Sequence, residues 1–337
     1  MALAGAELLL RAQGSQPWVY TTKDLSEPTI HVPDPVLGWR ARPGHHVVPP
    51  PSPNAAPAVF TFREDGSRLI GREIGEGSKV VFIGCSLTQG WAISDHETFA
   101  YLLQVRFPSF RVFNHGTAGY GTFQSLLILE EILATQDPPS TVFYGLCEDH
   151  ERRNVATPAW LRGLASYSRR GTVRVPYCTL TAEHRLERHP PEAHPEWPMR
   201  RSLALVNLAE RRYATFRGRH RASQGRAVTE LLLLELSRLA AAHGIRFAAV
   251  LLNTDRDDTK THYVQYSRAH GIDMIDCAFP LTDDMRVPGD WHANAKMNGR
   301  WADCISPSLE NLSIGLDQAP RAGLVSTPQP ATSSGHE

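Results

Sequence analysis

Two short polar stretches, far apart in the chain, hold residue types that work together in nucleophilic catalysis. An apolar run, Val80-Val81-Phe82-Ile83, stops in Gly84-Cys85-Ser86-Leu87-Thr88-Gln89-Gly90. Much later comes Gly289-Asp290-Trp291-His292-Ala293-Asn294. A serine hydroxyl alone is a poor nucleophile. It becomes a useful one when an imidazole takes its proton and a carboxylate holds that imidazole. Ser86, His292 and Asp290 supply one group of each kind. Each stretch alone has a bland reading, the first as an ordinary turn and the second as a surface loop. The joint placement is what points to chemistry.

The surrounding pattern must bring those stretches together. Lys79 to Gly84 is a continuous apolar run bounded by glycine, as expected of a strand buried on both faces. Further strands are expected at Arg111–Asn114, Thr141–Cys147, Arg246–Leu252 and Asp273–Cys277. Helical spacing is expected over Thr98–Phe107, Phe123–Thr135, Ala227–His243, Tyr263–His270 and Ala295–Leu312. Strands alternating with helices predict an α/β domain with a parallel sheet and right-handed crossovers. In such a sheet ligands bind beyond the carboxyl ends of the strands, and Ser86, Asn114–Gly121, Glu148–Asn154 and the Asp290–His292 loop all fall on that edge.

Outside residues 78–316 the character changes. Residues 1–16 read as a short amphipathic helix or the remnant of an anchor, since the apolar stretch is short, broken by Glu7 and without a basic flank. Residues 17–77 read as a small β-rich appendage, with Pro49-Pro50-Pro51-Ser52-Pro53 as an exposed extended loop. Residues 151–222 interrupt the alternation as a cap or insertion, and 317–337 read as a disordered tail.

Bulk properties exclude several classes. Basic and acidic side chains balance at 35 each, so no field for nucleic acid follows. No segment is long enough to span a bilayer, and membrane anchoring is expected only if the N-terminus is truncated. Cys85, Cys147, Cys178, Cys277 and Cys304 are scattered without C-x-x-C spacing, which argues against a disulfide framework or a structural zinc site. Asp255, Asp258, Asp283 and Asp284 lack the histidine spacing of a metal site.

The loop Gly84-x-Ser86-x-x-x-Gly90, with acid and base two residues apart, resembles the SGNH hydrolase (GDSL esterase/lipase) superfamily over about residues 78–312. The stretch Phe113-Asn114-His115-Gly116-Thr117-Ala118-Gly119-Tyr120-Gly121-Thr122 is similar to its second block. Leu37-Gly38-Trp39 and Arg42-Pro43-Gly44 are similar to the N-terminal extension of one bacterial subgroup. The resemblance implies a three-layer flavodoxin-like fold with about five parallel strands and a serine esterase that needs no cofactor. It implies Ser86 as nucleophile, His292 as base, Asp290 as its orienting acid, and backbone N–H groups of Ser86 and Gly119 as oxyanion donors. It also allows a cell-envelope location, where the sequence as given reads as cytoplasmic.

Two departures stand out. The acidic residue that precedes the serine in that family is Cys85 here. Cys85 itself could be offered as nucleophile, but it should face away from Ser86 on the strand. The third block, which normally supplies an asparagine donor, reads Glu148-Asp149-His150 here, with Asn154 further on. An ionised carboxylate cannot donate to an oxyanion, so Asn154 or His150 must fill the hole, or Glu148 must be protonated, or the donor is missing. Asn114, Tyr120, Glu148, His150 and Trp291 are candidate substrate contacts. Arg152, Arg153 and Asn253 weigh less, and His115 is a weaker rival for the base because no carboxylate adjoins it.

Three readings follow. The first is an esterase acting on a small or carbohydrate-borne acyl ester. The second is an acyltransferring or non-catalytic relative that keeps the fold. The third is a binding protein that uses Gly84–Gly90 as an anion loop, although that loop lacks a lysine and the G-x-G-x-x-G pattern. Composition says nothing of oligomeric state.

Overall fold

The computed structural model describes residues 2–20, 30–71, 77–167, 173–254 and 256–317. The expected tail beyond 317, and Asp255, lie outside the described residues. The chain begins with α1 (Ala2–Ala12) and two antiparallel ribbons, β1 (His31–Asp34) with β2 (Gly38–Ala41) and β3 (Gly44–Val48) with β4 (Ala58–Phe62). These ribbons fit the expected β-rich appendage. They are packed onto the main domain: Phe60, Phe62 and Ala58 share a buried cluster with Trp91.

The main sheet starts with β5 (Ser78–Gly84), followed by α2 (Ser86–Gln89), α3 (Phe99–Arg106), β6 (Phe110–Asn114), α4 (Thr122–Leu133) and β7 (Thr141–Cys147). After an insertion come α8 (Gly225–Ala242), β10 (Arg246–Asn253), α9 (Asp257–Ala269), β11 (Asp273–Asp276) and α10 (Ala295–Asp317). The order across the sheet is β11-β10-β7-β5-β6, with every neighbour parallel. This is the five-stranded parallel α/β sheet expected from the alternation.

Side chains of each strand alternate between two apolar layers. Val81 and Ile83 pack with α4 and α8, whereas Val80 and Phe82 pack with α3 and α10. Central β7 is buried along its whole length, and each large apolar side chain removed from water there contributes about 1.5–3 kcal/mol. The layering fixes which strand ends meet. The carboxyl ends of β5, β6, β7 and β10 share one edge, so the loops that follow them face one another.

The interruption at 151–222 is built of α5 (His150–Asn154), α6 (Pro158–Tyr167), the antiparallel hairpin β8 (Arg174–Leu180) and β9 (Leu186–Ala193), and α7 (Ala204–Ser223). Helix α7 buries only Ala204, Glu210 and Gly218. With so narrow a buried face it carries no apolar stripe to read. Its first turn is capped from outside: Glu7 of α1 accepts from the N–H groups of Ala204 at 2.9 Å and Leu205 at 2.8 Å. Among the described residues no helix is long and apolar enough to cross a membrane.

One expectation is overturned. Cys277 and Cys304 form a disulfide, although the scattered spacing argues against a disulfide framework. The end of β11 and the middle of α10 bring the two together, a proximity that a 27-residue separation does not announce. The bridge pins both ends of the segment that carries Asp290 and His292.

Candidate active site

Ser86 is the first residue of α2, directly beyond β5. Gly84 makes the tight exit possible. Its φ is +152°, and a Cβ there would lie 2.3 Å from Thr88 Oγ1. As the opening residue of a helix, Ser86 has an N–H outside the i→i−4 ladder, free to point toward a ligand. Its carbonyl accepts from Gly90 at 3.0 Å and Trp91 at 2.9 Å, which closes the short helix.

The far end of α2 is held by a residue that no motif singles out. Arg68 is fully buried. Its guanidinium donates to the carbonyls of Gln89 (2.7 Å), Gly90 (2.6 Å), Ile93 (2.6 Å) and Val59 (2.9 Å), and pairs with Asp95 at 2.7 Å. Phe60 covers it, 4.1 Å from ring centre to guanidinium. Five donors meeting five acceptors make burial of this charge tolerable. The only hint was its place between two extended segments, and arginine there is usually exposed.

The loop before α10 supplies the second half. Asp290 Oδ1 lies 2.5 Å from His292 Nδ1 and accepts from the His292 backbone N–H at 3.0 Å. The carboxylate therefore fixes the imidazole twice, through its backbone and through its ring. The loop is closed by Val287 N–H to His292 O and Asp290 N–H to Val287 O, both 2.9 Å. Gly289, at φ +79°, leaves no space for a side chain, because a Cβ would meet Ser52 Cβ at 2.5 Å. Ser52 Oγ donates to Pro288 O at 2.7 Å. The proline-rich stretch expected to stand free in solvent thus braces this loop.

Ser86 and His292 line the same shallow surface depression, together with Leu87, Trp91, Ala293 and Trp301. The hydroxyl and the imidazole are not hydrogen-bonded to each other among the described contacts. Trp91 sits 6.0 Å from the His292 ring, and Trp291 stacks on that ring at 3.8 Å while remaining 44% exposed. Trp91 and Trp301 went unnoticed in the sequence, where they look like ordinary core tryptophans.

The other candidates are not among the residues that line this pocket. Asn114 donates to Thr88 O at 2.8 Å and accepts from Gly116 N–H at 3.0 Å, so it braces α2 from behind. Tyr120 is buried, and its hydroxyl donates to Trp39 O. His115 faces Asp65 at 4.0 Å and not the pocket, and burial holds its pKa below the ordinary value. Gly119 lies on the turn after β6 at φ +84°, against the rings of Trp39 and Trp160.

The third-strand turn directs its polar groups inward. Asn154 is buried, with Nδ2 donating to Thr122 Oγ1 at 2.9 Å and Thr229 Oγ1 at 2.8 Å, and Oδ1 accepting from Phe123 N–H at 3.1 Å. Both amide hydrogens are committed, which corrects the expectation that Asn154 could donate to an oxyanion. His150 is fully buried beside Tyr144, its Nδ1 2.6 Å from the tyrosine hydroxyl, and it does not line the pocket either. Glu148 accepts from Thr254 Oγ1 at 3.0 Å, with Arg256 at 3.9 Å. Arg153 is buried and pairs with Asp149, while Arg152 reaches the same carboxylate from the surface. Burial would raise the Asp149 pKa, but the two guanidinium groups prevail and hold it below the usual carboxylate range. Cys85 points away from the pocket, its sulfur 3.7 Å from that of Cys147.

No family model matches this sequence, and no curated protein matches it. Solved structures similar to this chain include a member of the lipolytic G-D-S-L family from Veillonella parvula DSM 2008, at 12% identity and a TM-score of 0.41, covering 69% of this chain and 99% of that one. The psychrotrophic esterase EstA from Pseudoalteromonas sp. is similar at 12% identity and a TM-score of 0.42, covering 70% and 99%. AlinE4, an SGNH-hydrolase family esterase, is similar at 11% identity and a TM-score of 0.36, covering 71% and 98%. At such distances the chemistry has to be read from this chain's own side chains.

Proposed function

We propose that the protein is a serine esterase of the SGNH type. The observation that supports this reading is that His292, its imidazole braced by Asp290, lines the same pocket as Ser86. In this reading Ser86 Oγ attacks the acyl carbonyl while His292 Nε2 takes its proton. Asp290 keeps Nδ1 protonated and stabilises the imidazolium. His292 then returns the proton to the departing alcohol, and water repeats the sequence on the acyl-enzyme. The backbone N–H groups of Ser86 and Gly119 hold the oxyanion, each donor of this kind being worth roughly 3–4 kcal/mol. Contacts between nucleophile and base commonly tighten only when substrate binds, so the missing hydroxyl–imidazole bond does not oppose this reading.

The exposed Trp291 ring beside His292 suits a sugar ring on the alcohol side. The Cys277–Cys304 bridge favours an oxidising compartment such as the cell envelope. One observation favours a second reading, acyl transfer or binding without turnover: the third-strand turn presents no free side-chain amide, since Asn154 is locked and Glu148 is a carboxylate.

Hydrolysis of p-nitrophenyl acetate separates these readings. The wild type and Cys85→Ser should turn over, with Ser86→Ala lower by at least about 10³-fold. Wild-type turnover in Ser86→Ala removes the esterase reading. A folded wild type that never releases p-nitrophenol supports the non-catalytic one.

A further inference from the structure

Cys85, Cys147 and His150 stand far apart in sequence, at the exit of β5, the end of β7 and the start of α5. The fold gathers them into one buried cluster in which the two sulfurs and a ring nitrogen all lie within 4.8 Å of one another. Their residues are 1%, 4% and 0% exposed. The cysteines are not bonded to each other. We propose that these three side chains form a binding site for a thiophilic closed-shell cation, Zn²⁺ or Cu⁺, independent of the serine chemistry beside it.

Three observations carry the proposal. The first is spacing. Two thiolates on a tetrahedral ion with metal–sulfur bonds of about 2.3 Å sit about 3.8 Å apart, and the sulfurs here are 3.7 Å apart. The second is the state of the histidine. Tyr144 donates its hydroxyl hydrogen to Thr122 Oγ1 at 2.7 Å and lies 2.6 Å from His150 Nδ1. With that hydrogen committed, the tyrosine oxygen is an acceptor for a proton on Nδ1, the tautomer in which Nε2 has a lone pair to give to a cation. Nε2 is buried and has no hydrogen-bond partner. A buried ring nitrogen without a partner is costly, and a metal-bound histidine is normally steadied through its other nitrogen in this way. The third is charge. The buried Arg153 guanidinium lies within electrostatic reach of both sulfurs. Cation binding releases the two thiol protons to solvent, and Arg153 offsets the thiolate charge that results.

Soft thiolate donors select Zn²⁺ or Cu⁺ over harder ions. Cu⁺ is satisfied by three donors, whereas Zn²⁺ requires a fourth, supplied by water. Either ion would tie the turn that carries Ser86 to the turn after β7.

The test uses the full chain, purified without metal-affinity chromatography and kept under nitrogen. Elemental analysis follows reconstitution with Zn²⁺ in one arm and Cu⁺ in the other, and Co²⁺ serves as an optical probe. One ion retained per chain in either arm, with a thiolate-to-cobalt charge-transfer band, supports the site. Cys147→Ser should abolish the band, and Cys178→Ser should leave it unchanged. Tyr144→Phe, which keeps the ring and the packing, should weaken binding by about 10- to 100-fold. Folded wild type that retains neither ion and gives no band overturns the proposal. So does a Cys85–Cys147 disulfide in peptide maps of the native protein, a measurement that depends on no variant folding.

Discussion

Two turns leave the same edge of one sheet and are built in opposite senses. The turn after β7 points its polar groups into the protein: Asn154 to Thr122 and Thr229, His150 to Tyr144, Arg153 to Asp149. The loop before α10 does the reverse. It is held from outside, by the Cys277–Cys304 bridge and by Ser52, and its His292, braced by Asp290, lines the pocket. The contrast teaches that a polar residue at the right strand end is not thereby a site residue. Where, as in Asn154, every donor and acceptor of the side-chain amide is already engaged by neighbours, it serves the fold. Where one end is braced and the other faces free space, it is available for chemistry.

The largest expected effect lies on the outward loop. Asp290→Asn keeps the size of the side chain but removes control of the imidazole tautomer. It should lower kcat by about 10⁴-fold with little change in melting temperature. Parallel losses of activity and stability would place Asp290 among the structural residues instead, and the contrast would dissolve.

Next comes the staple. Opening a 27-residue loop in Cys304→Ser should cost about 3–4 kcal/mol of stability, read as a lowered denaturant midpoint. Activity below the new midpoint should persist, because Asp290 and His292 stay adjacent. An unchanged midpoint would mean that the bridge does not anchor the loop.

The smallest effect belongs to the inward turn. Asn154→Ala leaves Phe123 N–H without its acceptor and should destabilise by about 2–3 kcal/mol, with kcat/KM within about threefold of wild type. An oxyanion donor at this position would instead cost about 10²–10³-fold in kcat, so enzyme kinetics on the purified variant decide between the two roles.

The same contrast explains what could be read from the chain alone. Strands β5, β7 and β10 announced themselves because burial on both faces demands continuous apolar runs. Ser86, Asp290 and His292 stood out because their types complement one another. Helix α7 did not, because only three of its residues are buried, one of them a glycine, and Arg211, Arg212 and Arg217 face solvent. Arg68 was invisible because its role depends on five acceptors from two separate stretches of chain, Val59 and residues 89–95. Asn154 looked like a donor because a sequence does not show which partners a side chain already has. The Cys277–Cys304 pairing is a matter of three-dimensional approach, and no spacing rule encodes it.

Labelling with a fluorophosphonate, read by intact mass and peptide mapping, tests the central claim most directly. The account predicts one adduct per chain, mapped to Ser86, abolished in Ser86→Ala, strongly slowed in His292→Ala and retained in Cys85→Ser. An adduct that persists in Ser86→Ala, or that maps to Cys85, would contradict it.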